Sequence, residues 1–355
     1  MLSSPIGVCL GITSRCNFNC RHCCVSASRD KPDLTTPELL KVIDQLGQAK
    51  VFNIGIFGGE PLMHGDFFKI LKRIQSYPVI VSLNTNASLI DRPLAKKLQE
   101  SKIRSFCVSF DGSRPEVMDR MRGAGAFTGC LSGVKYLRGY TANIMLSVTL
   151  TRYNIPDIRN MVILARFLGV AGIRFNHVFC GGNAACFSNE IMISPQEELK
   201  AINEIYNLHR EFPGFISGSY LQLKDKLDQL KDFKPQEDKV IAPACGAATN
   251  KCCIRPDGKV TPCEVIWDVE AGDLRKQTFL AIWRHSPILQ ELRRPREVTL
   301  KDKPDCKGCR YQYLCFIGHR CSPYYYPQGL NDKSLYCWKG IDLEEVYALG
   351  EKMEV

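Results

Sequence analysis

The sequence lacks the marks of export and of membrane insertion. Met1–Gly11 has no basic stretch and no long apolar run of the signal-peptide kind. No segment approaches the roughly 18 uninterrupted apolar residues of a helical span. Blocks of like charge are absent, which argues against a nucleic-acid tail. There is no low-complexity stretch and no repeat beyond a strand–helix alternation. The chain is therefore expected to be cytoplasmic, with neither a membrane nor a nucleic acid as partner. What is present is ordinary for a soluble protein: 355 residues, 45% hydrophobic and 24% charged. That length allows one large domain and a smaller one. The net charge of +10 fits a solvated basic surface, or a groove for an anionic partner.

The unusual feature is cysteine, at 18 residues. In a chain of this size without an export signal, metal binding or catalysis explains cysteines better than disulfides do. They gather near the amino terminus and in the last third.

The first half alternates short apolar runs with helical patterns. Strands are expected at Val8–Thr13, Val51–Phe57, Val79–Asn84, Ile103–Phe110, Ile144–Leu150 and Gly172–His177. Helices are expected at Thr36–Lys50 (with Thr35 or Thr36 as N-cap), Asp66–Ser76, Arg92–Ser101, Phe127–Tyr140, Ile155–Leu168 and Pro195–Arg210. Continuous apolar strands separated by helices imply a parallel sheet with helices outside. Six units are too few for a closed eight-fold barrel, so the expected fold is α/β, a partial TIM-like (β/α)6 barrel over residues 1–190. Chemistry in such folds sits at the carboxyl ends of the strands. A helical connector over 191–242 follows, then a small cysteine-rich domain of short strands over 243–340, and a closing helix over 341–355.

On the loop after the first strand stands Thr13-Ser14-Arg15-Cys16-Asn17-Phe18-Asn19-Cys20-Arg21-His22-Cys23. Three thiolates at C-x3-C-x2-C can hold three irons of a [4Fe–4S] cube and leave the fourth without a protein ligand. An open coordination position signals chemistry rather than electron storage. The spacing is poor for a zinc finger, and no fourth ligand follows nearby.

This triplet, with the aromatic His22 before its third cysteine, resembles the radical S-adenosylmethionine (SAM) superfamily from about Pro5 to Asn189. The resemblance implies that SAM chelates the open iron and that reductive cleavage yields methionine and a 5′-deoxyadenosyl radical. Further segments match in order. Gly58-Gly59-Glu60-Pro61 resembles the element that takes the SAM ammonium. Asn84 and Thr85 suit its sulfonium end or ribose. Ser109 and Arg122 match positions that hold its carboxylate in relatives. Gly172-Ile173-Arg174-Phe175 resembles the segment lining the adenine. Cys9 and Cys107 fall in strands and are expected in the core; Cys24 and Cys130 are expected to ligate nothing. Cys180 and Cys186 could face a substrate.

From Cys245 onward, twelve residues precede Gly258 and four more precede Cys263. Cys306-x2-Cys309-x5-Cys315-x5-Cys321 and Cys337 follow. This resembles the SPASM extension of radical SAM enzymes, which carries auxiliary [4Fe–4S] clusters, although the last central spacing is five residues where the family pattern has three. By that resemblance one cluster uses Cys245, Cys263, Cys321 and either Cys252 or Cys253. The other uses Cys306, Cys309, Cys315 and Cys337. A structural zinc domain is the competing reading, because Cys306-x2-Cys309 suits a zinc knuckle.

Relatives with this layout oxidise peptides or proteins, and Gln48–Phe52 through Pro61 most resembles the mycofactocin-type maturases. The expected function is oxidative modification of a ribosomal peptide: a crosslink, a thioether or a decarboxylation. The alternatives are sulfatase maturation, tetrapyrrole side-chain decarboxylation and, from another class, a non-catalytic iron–sulfur carrier. Cys16 stands too early for an amino-terminal leader-binding domain, which implies a separate recognition protein or a small substrate. A flavodoxin or ferredoxin is the expected electron donor. Glu264 stands where sulfatase maturases carry an aspartate base and is the candidate for proton transfer.

Overall fold

The computed structural model describes residues 2–25, 32–221, 239–241, 246–293 and 297–299. Six parallel strands form its centre: β1 (Gly7–Gly11), β2 (Asn53–Phe57), β3 (Ile80–Thr85), β4 (Ser105–Ser109), β5 (Ile144–Thr149) and β6 (Gly172–Asn176). Each pairs in parallel with the next. The crossovers include α1 (Thr36–Gln48), α2 (Phe67–Ile74), α3 (Arg92–Glu100), α4 (Pro115–Arg122), α5 (Ala126–Arg138) and α6 (Ile158–Phe167). Two short helices, α7 (Gly182–Cys186) and α8 (Ser188–Ile191), lead into α9 (Pro195–Glu211). A seventh parallel strand, β7 (Ile216–Gly218), then joins β6. It lies within the stretch expected as helical connector. Three residues interrupted by Gly218 are too few to give a strand pattern in the sequence.

Local chemistry sets these elements. Thr35 caps α1 and, with Glu38, completes a capping box. Leu39, Val42, Ile43 and Leu46 recur at helical spacing and are buried. The strands alternate with period two. Val8 and Leu10, Ile54 and Ile56, and Phe106 and Val108 point outward into one continuous core beneath the helices. The opposite, inward face carries mainly small or polar residues, among them Cys9, Gly55, Ser82, Asn84, Cys107, Ser109, Ser147 and Thr149, with Phe57 and Met145 as large apolar exceptions. An arc of strands with such a lining leaves a hollow rather than a packed interior. The short helix α4 escapes the sequence pattern because its eight residues, four of them charged, make only about two turns.

The cysteine-rich segment continues the same sheet. In chain order its strands are β8 (Lys239–Ile241), β9 (Lys251–Ile254), β10 (Lys259–Thr261), β11 (Gly272–Asp273) and β12 (Glu297–Thr299). β9 pairs in parallel with β1, and β10 and β11 follow antiparallel, giving the order β11-β10-β9-β1 through β7. The edge of β1 is thereby covered. β8 and β12 form a separate antiparallel pair. Two helices, α10 (Phe279–His285) and α11 (Pro287–Arg293), were not legible beside the short strands. Trp283 of α10 is fully buried, and its indole donates to the Leu2 carbonyl at 3.1 Å. Cys245, Cys306, Cys309, Cys315, Cys321, Cys337 and the expected closing helix lie outside the described residues.

Candidate active site

The loop after β1 is sewn to the end of β2 by backbone bonds. Gly59 N–H donates to the Thr13 carbonyl at 2.8 Å and Glu60 N–H to that of Arg15 at 2.8 Å. The glycines make this approach possible. Gly58 has φ +148°, and a Cβ there would stand 2.2 Å from the Thr13 oxygen; one at Gly59 would stand 2.2 Å from the Arg15 oxygen. The Gly58–Gly59 pair thus clamps the cysteine loop. Asp33 holds the same loop by accepting from Thr13 Oγ1 (2.7 Å) and Ser14 N–H (2.9 Å).

Cys16, Cys20 and Cys23 all face one cavity of about 340 Å³, with Gly58, Gly59, Glu60, Asn84, Thr85, Ser109, Arg122 and His22 around it. Pro61 is buried at the start of a single 3-10 turn and is not on the wall. Glu60 is 1% exposed. Its Oε1 accepts from Thr85 Oγ1 at 2.7 Å and its Oε2 from Asn86 N–H at 2.7 Å. Burial holds its pKa above the ordinary carboxylate value, and these bonds oppose the rise. Asn86 passes the link on by donating to Asn17 on the cysteine loop at 2.9 Å.

Arg122 makes a buried ion pair with Asp111, Nη2 to Oδ2 at 2.6 Å, and its other terminal nitrogen lies 3.7 Å from Cys20 Sγ. His22 Nε2 stands 3.2 Å from the same carboxylate oxygen. Burial, with Arg122 adding to it, outweighs Asp111 and pushes the imidazole down to about 4, so it is neutral at pH 7. Burial likewise pushes the Cys20 thiol up to about 12, and Arg122 acts against that rise. The fixing of Arg122 and His22 by Asp111 was not legible in the sequence.

The residues fit the group they imply. Three soft sulfurs converge on one cavity from one short loop, with a guanidinium beside one of them as counter-charge. Loading must displace the thiol protons that burial retains on Cys16 and Cys20.

Glu264 reaches the same cavity from the second domain. Lys251 Nζ donates to it at 2.9 Å, and Cys9 Sγ lies 3.7 Å away. Burial would raise its pKa, but Lys251 and the hydrogen bonds hold it below the ordinary value. Cys9 was expected in the core; it sits on the inward face and lines the cavity, as does Cys24. Cys107 also faces inward, because strand alternation sends Phe106 and Val108 to the core instead. Cys130, on the core-facing side of α5, is fully buried. Cys180 packs on Met192 and Cys186 is exposed, and neither lines the cavity.

Strand register separates Cys252 from Cys253. Cys253 pairs with Cys9 and shares the inward face; Cys252 pairs with Val8 and joins the helix-covered core. Cys263 is 5% exposed, beside Ala247 and Ile266.

His177, just past β6, lines the cavity and was missed, since a lone histidine has no spacing to mark it. Its Nε2 is 2.8 Å from Glu198, its Nδ1 is 2.7 Å from Ser219, and its ring stacks on Tyr220 at 4.1 Å. Asn183, also missed, donates to Asn19 at 2.8 Å and to the Cys20 carbonyl at 3.1 Å, tying α7 to the cysteine loop.

This constellation on an open parallel barrel is that of the radical SAM superfamily, which the chain matches over residues 10–165. Residues 245–310 match the SPASM iron–sulfur cluster-binding domain. The chain therefore carries a radical SAM domain extended by a SPASM domain, and [4Fe–4S] clusters and SAM are its cofactors. It is 27% identical over 349 residues to the AdoMet-dependent heme synthase of Methanosarcina barkeri, covering 95% of this chain and 97% of that one. It is 26% identical over 345 residues to the mycofactocin maturase MftC of Mycolicibacterium smegmatis, covering 96% and 84%. Among solved structures, SuiB of Streptococcus suis bound to its precursor peptide SuiA superposes with TM-score 0.73 at 15% identity, covering 94% and 76%. That likeness shows the fold alone. Among the described residues no helix is long and apolar enough to cross a membrane.

Proposed function

We propose that the chain cleaves SAM reductively and uses the resulting radical to oxidise a ribosomally made peptide. The carrying observation is convergence. Thiols of the first domain, the Glu60 and Arg122 networks and Glu264 of the second domain all border one cavity. When bound, the cluster on Cys16, Cys20 and Cys23 supplies an electron to the SAM sulfonium, which yields a 5′-deoxyadenosyl radical. The chain's own residues do the rest. Gly58 and Gly59 hold the cysteine loop in place. Arg122 sets positive charge beside Cys20 and, with Ser109, would hold the SAM carboxylate, while Asn84 and Thr85 offer polar contacts to its sulfonium end or ribose. Ionised at neutral pH, Glu264 takes a proton from the substrate, with Lys251 holding its charge.

Cys245, Cys253, Cys263 and Cys321 would hold one auxiliary cluster, and Cys306, Cys309, Cys315 and Cys337 the other. They would accept the electron that a substrate radical gives up. A flavodoxin or ferredoxin in a reducing cytoplasm supplies the first electron, and a separate protein presents the peptide. A second reading, oxidation of tetrapyrrole side chains, is favoured by the near-complete mutual coverage with the heme synthase.

The test is anaerobic. Reconstituted protein is given SAM and dithionite, and 5′-deoxyadenosine is measured by mass spectrometry beside a Cys16→Ala/Cys20→Ala/Cys23→Ala control. Deoxyadenosine that disappears in the control is expected. None from an iron-loaded protein, with or without candidate peptides, would sink the reading and favour the carrier.

A further inference from the structure

The seven parallel strands carry a single charged residue, Arg174, at the middle of β6. Its neighbours Ile173 and Phe175 are buried in the helix-covered core, so their side chains are turned away from the hollow. Alternation therefore turns Arg174 inward. In register it lies between Ser147 of β5 and Ser217 of β7. Ser147 lines the cavity described above, and Asn176 holds its hydroxyl by donating at 3.0 Å. The positive charge of Arg174 is felt at the Cys107 thiol, two strands away.

The cations on the same face of the strands added beyond β1, Lys251 and Lys259, are neutralised by Glu264 at 2.9 Å and Asp273 at 3.1 Å. Arg174 makes no ion pair among the described residues, and it is exposed to the hollow. Beside it, the Ser217 hydroxyl is buried without a hydrogen-bond partner among the described residues. An unneutralised guanidinium and an unsatisfied hydroxyl in adjacent register are two independent calls for an acceptor. Small neighbours on both flanks leave room for it. A planar, doubly accepting anion matches the fork of a guanidinium with one hydroxyl beside it.

We propose that Arg174, with Ser217 and Ser147, binds a carboxylate of the substrate and so fixes which end of it enters the cavity. This rests on the proposed radical oxidation and adds the substrate's chemical class. It makes Arg174 a determinant of specificity in register with Ser147, which lines the cavity. The carboxylate could belong to a peptide or to a tetrapyrrole propionate.

The test uses the fully reconstituted chain in two arms. One titrates iron coproporphyrin III and its tetramethyl ester by Soret difference spectra. The other measures retention of a hexapeptide library, as free acids and as carboxyl-terminal amides, on immobilised protein. In one arm the acid is expected to bind about 10- to 100-fold more weakly to Arg174→Gln than to wild type, the loss of a charge-assisted bond. Arg174→Lys should recover part of it, and the ester or amide should bind weakly and alike to all three. Ser217→Ala, a milder change, should weaken the acid alone by a few-fold. Iron content and circular dichroism verify that the variants fold. The arm that responds identifies the source of the carboxylate. Acid binding undiminished in Arg174→Gln, neutral probes bound as well as acids, or no binding of either acid to wild type each overturns the proposal. Wild-type deoxyadenosine formation, measured in parallel, judges the radical reading separately.

Discussion

Two ion pairs in this molecule share a distance and differ in burial. Arg122–Asp111 and Arg73–Asp44 both measure 2.6 Å. The first pair's side chains are 7% and 0% exposed, the second's 44% and 28%. Arg122→Met leaves Asp111 as a buried carboxylate with Thr149 N–H at 2.8 Å and neutral His22 for company. Breaking such a pair costs about 3–5 kcal/mol, because the remaining charge is stripped of water and of its partner. Arg73→Met leaves Asp44 in solvent with the Tyr77 hydroxyl still donating, and should cost little. The assay is urea unfolding of the reconstituted protein, followed by tryptophan fluorescence. The Arg122→Met midpoint should fall by on the order of 1 M, given an m-value of about 3 kcal/mol/M for a chain of this size. The Arg73→Met midpoint should stay near wild type. Arg122→Met combined with Asp111→Asn should recover much of the loss, since no uncompensated charge is then buried. If the two single arginine variants lose the same stability, burial is not what gives the Arg122 pair its weight, and the reasoning fails.

Further outcomes follow from the same geometry. Gly59→Ala should displace the cysteine loop and lower iron by up to about four per chain; Gly65→Ala, whose Cβ would meet nothing within 4 Å, should not. Iron analysis of the two purified proteins decides this. Cys253→Ala should lose about four irons per chain, whereas Cys252→Ala should keep its iron and lose core stability; equal iron in both would refute the assignment by strand face. Glu264 has its pKa depressed in the fold, so its ionised form and the Lys251 pairing persist above the ordinary carboxylate value of about 4.3 and are lost as pH falls through the depressed value. Substrate oxidation should therefore show no acid limb from Glu264 between about pH 5.5 and 8. Lys251→Met leaves burial as the largest influence and should move a limb toward that window; a profile unchanged by Lys251→Met would count against Glu264 as the base.

What the sequence made legible is what depends on spacing. The cysteine triplet, the glycine pair and the strand–helix alternation are local patterns, and each stands where local geometry put it. What it concealed depends on which side of a strand a residue faces and on what the fold brings from afar. Cys9 reads as core because it sits between Val8 and Leu10, but a half-period shift turns it onto the cavity. Cys252 and Cys253 are adjacent letters with opposite surroundings, and only the register of β9 on β1 tells them apart. Asp111 and Arg122 lie eleven residues apart and meet because α4, too short to be seen as a helix, turns back over the strand end. His177 is recruited by Glu198 and Ser219, whose approach no spacing encodes. Arg174 was visible as a letter within an adenine-lining segment. Its significance comes from the 34 other residues of the seven parallel strands being uncharged and from the lack of a carboxylate to meet it among the described residues. Local patterns thus name the cofactor chemistry, and the composition of a face, assembled from seven strands, carries the information about the substrate.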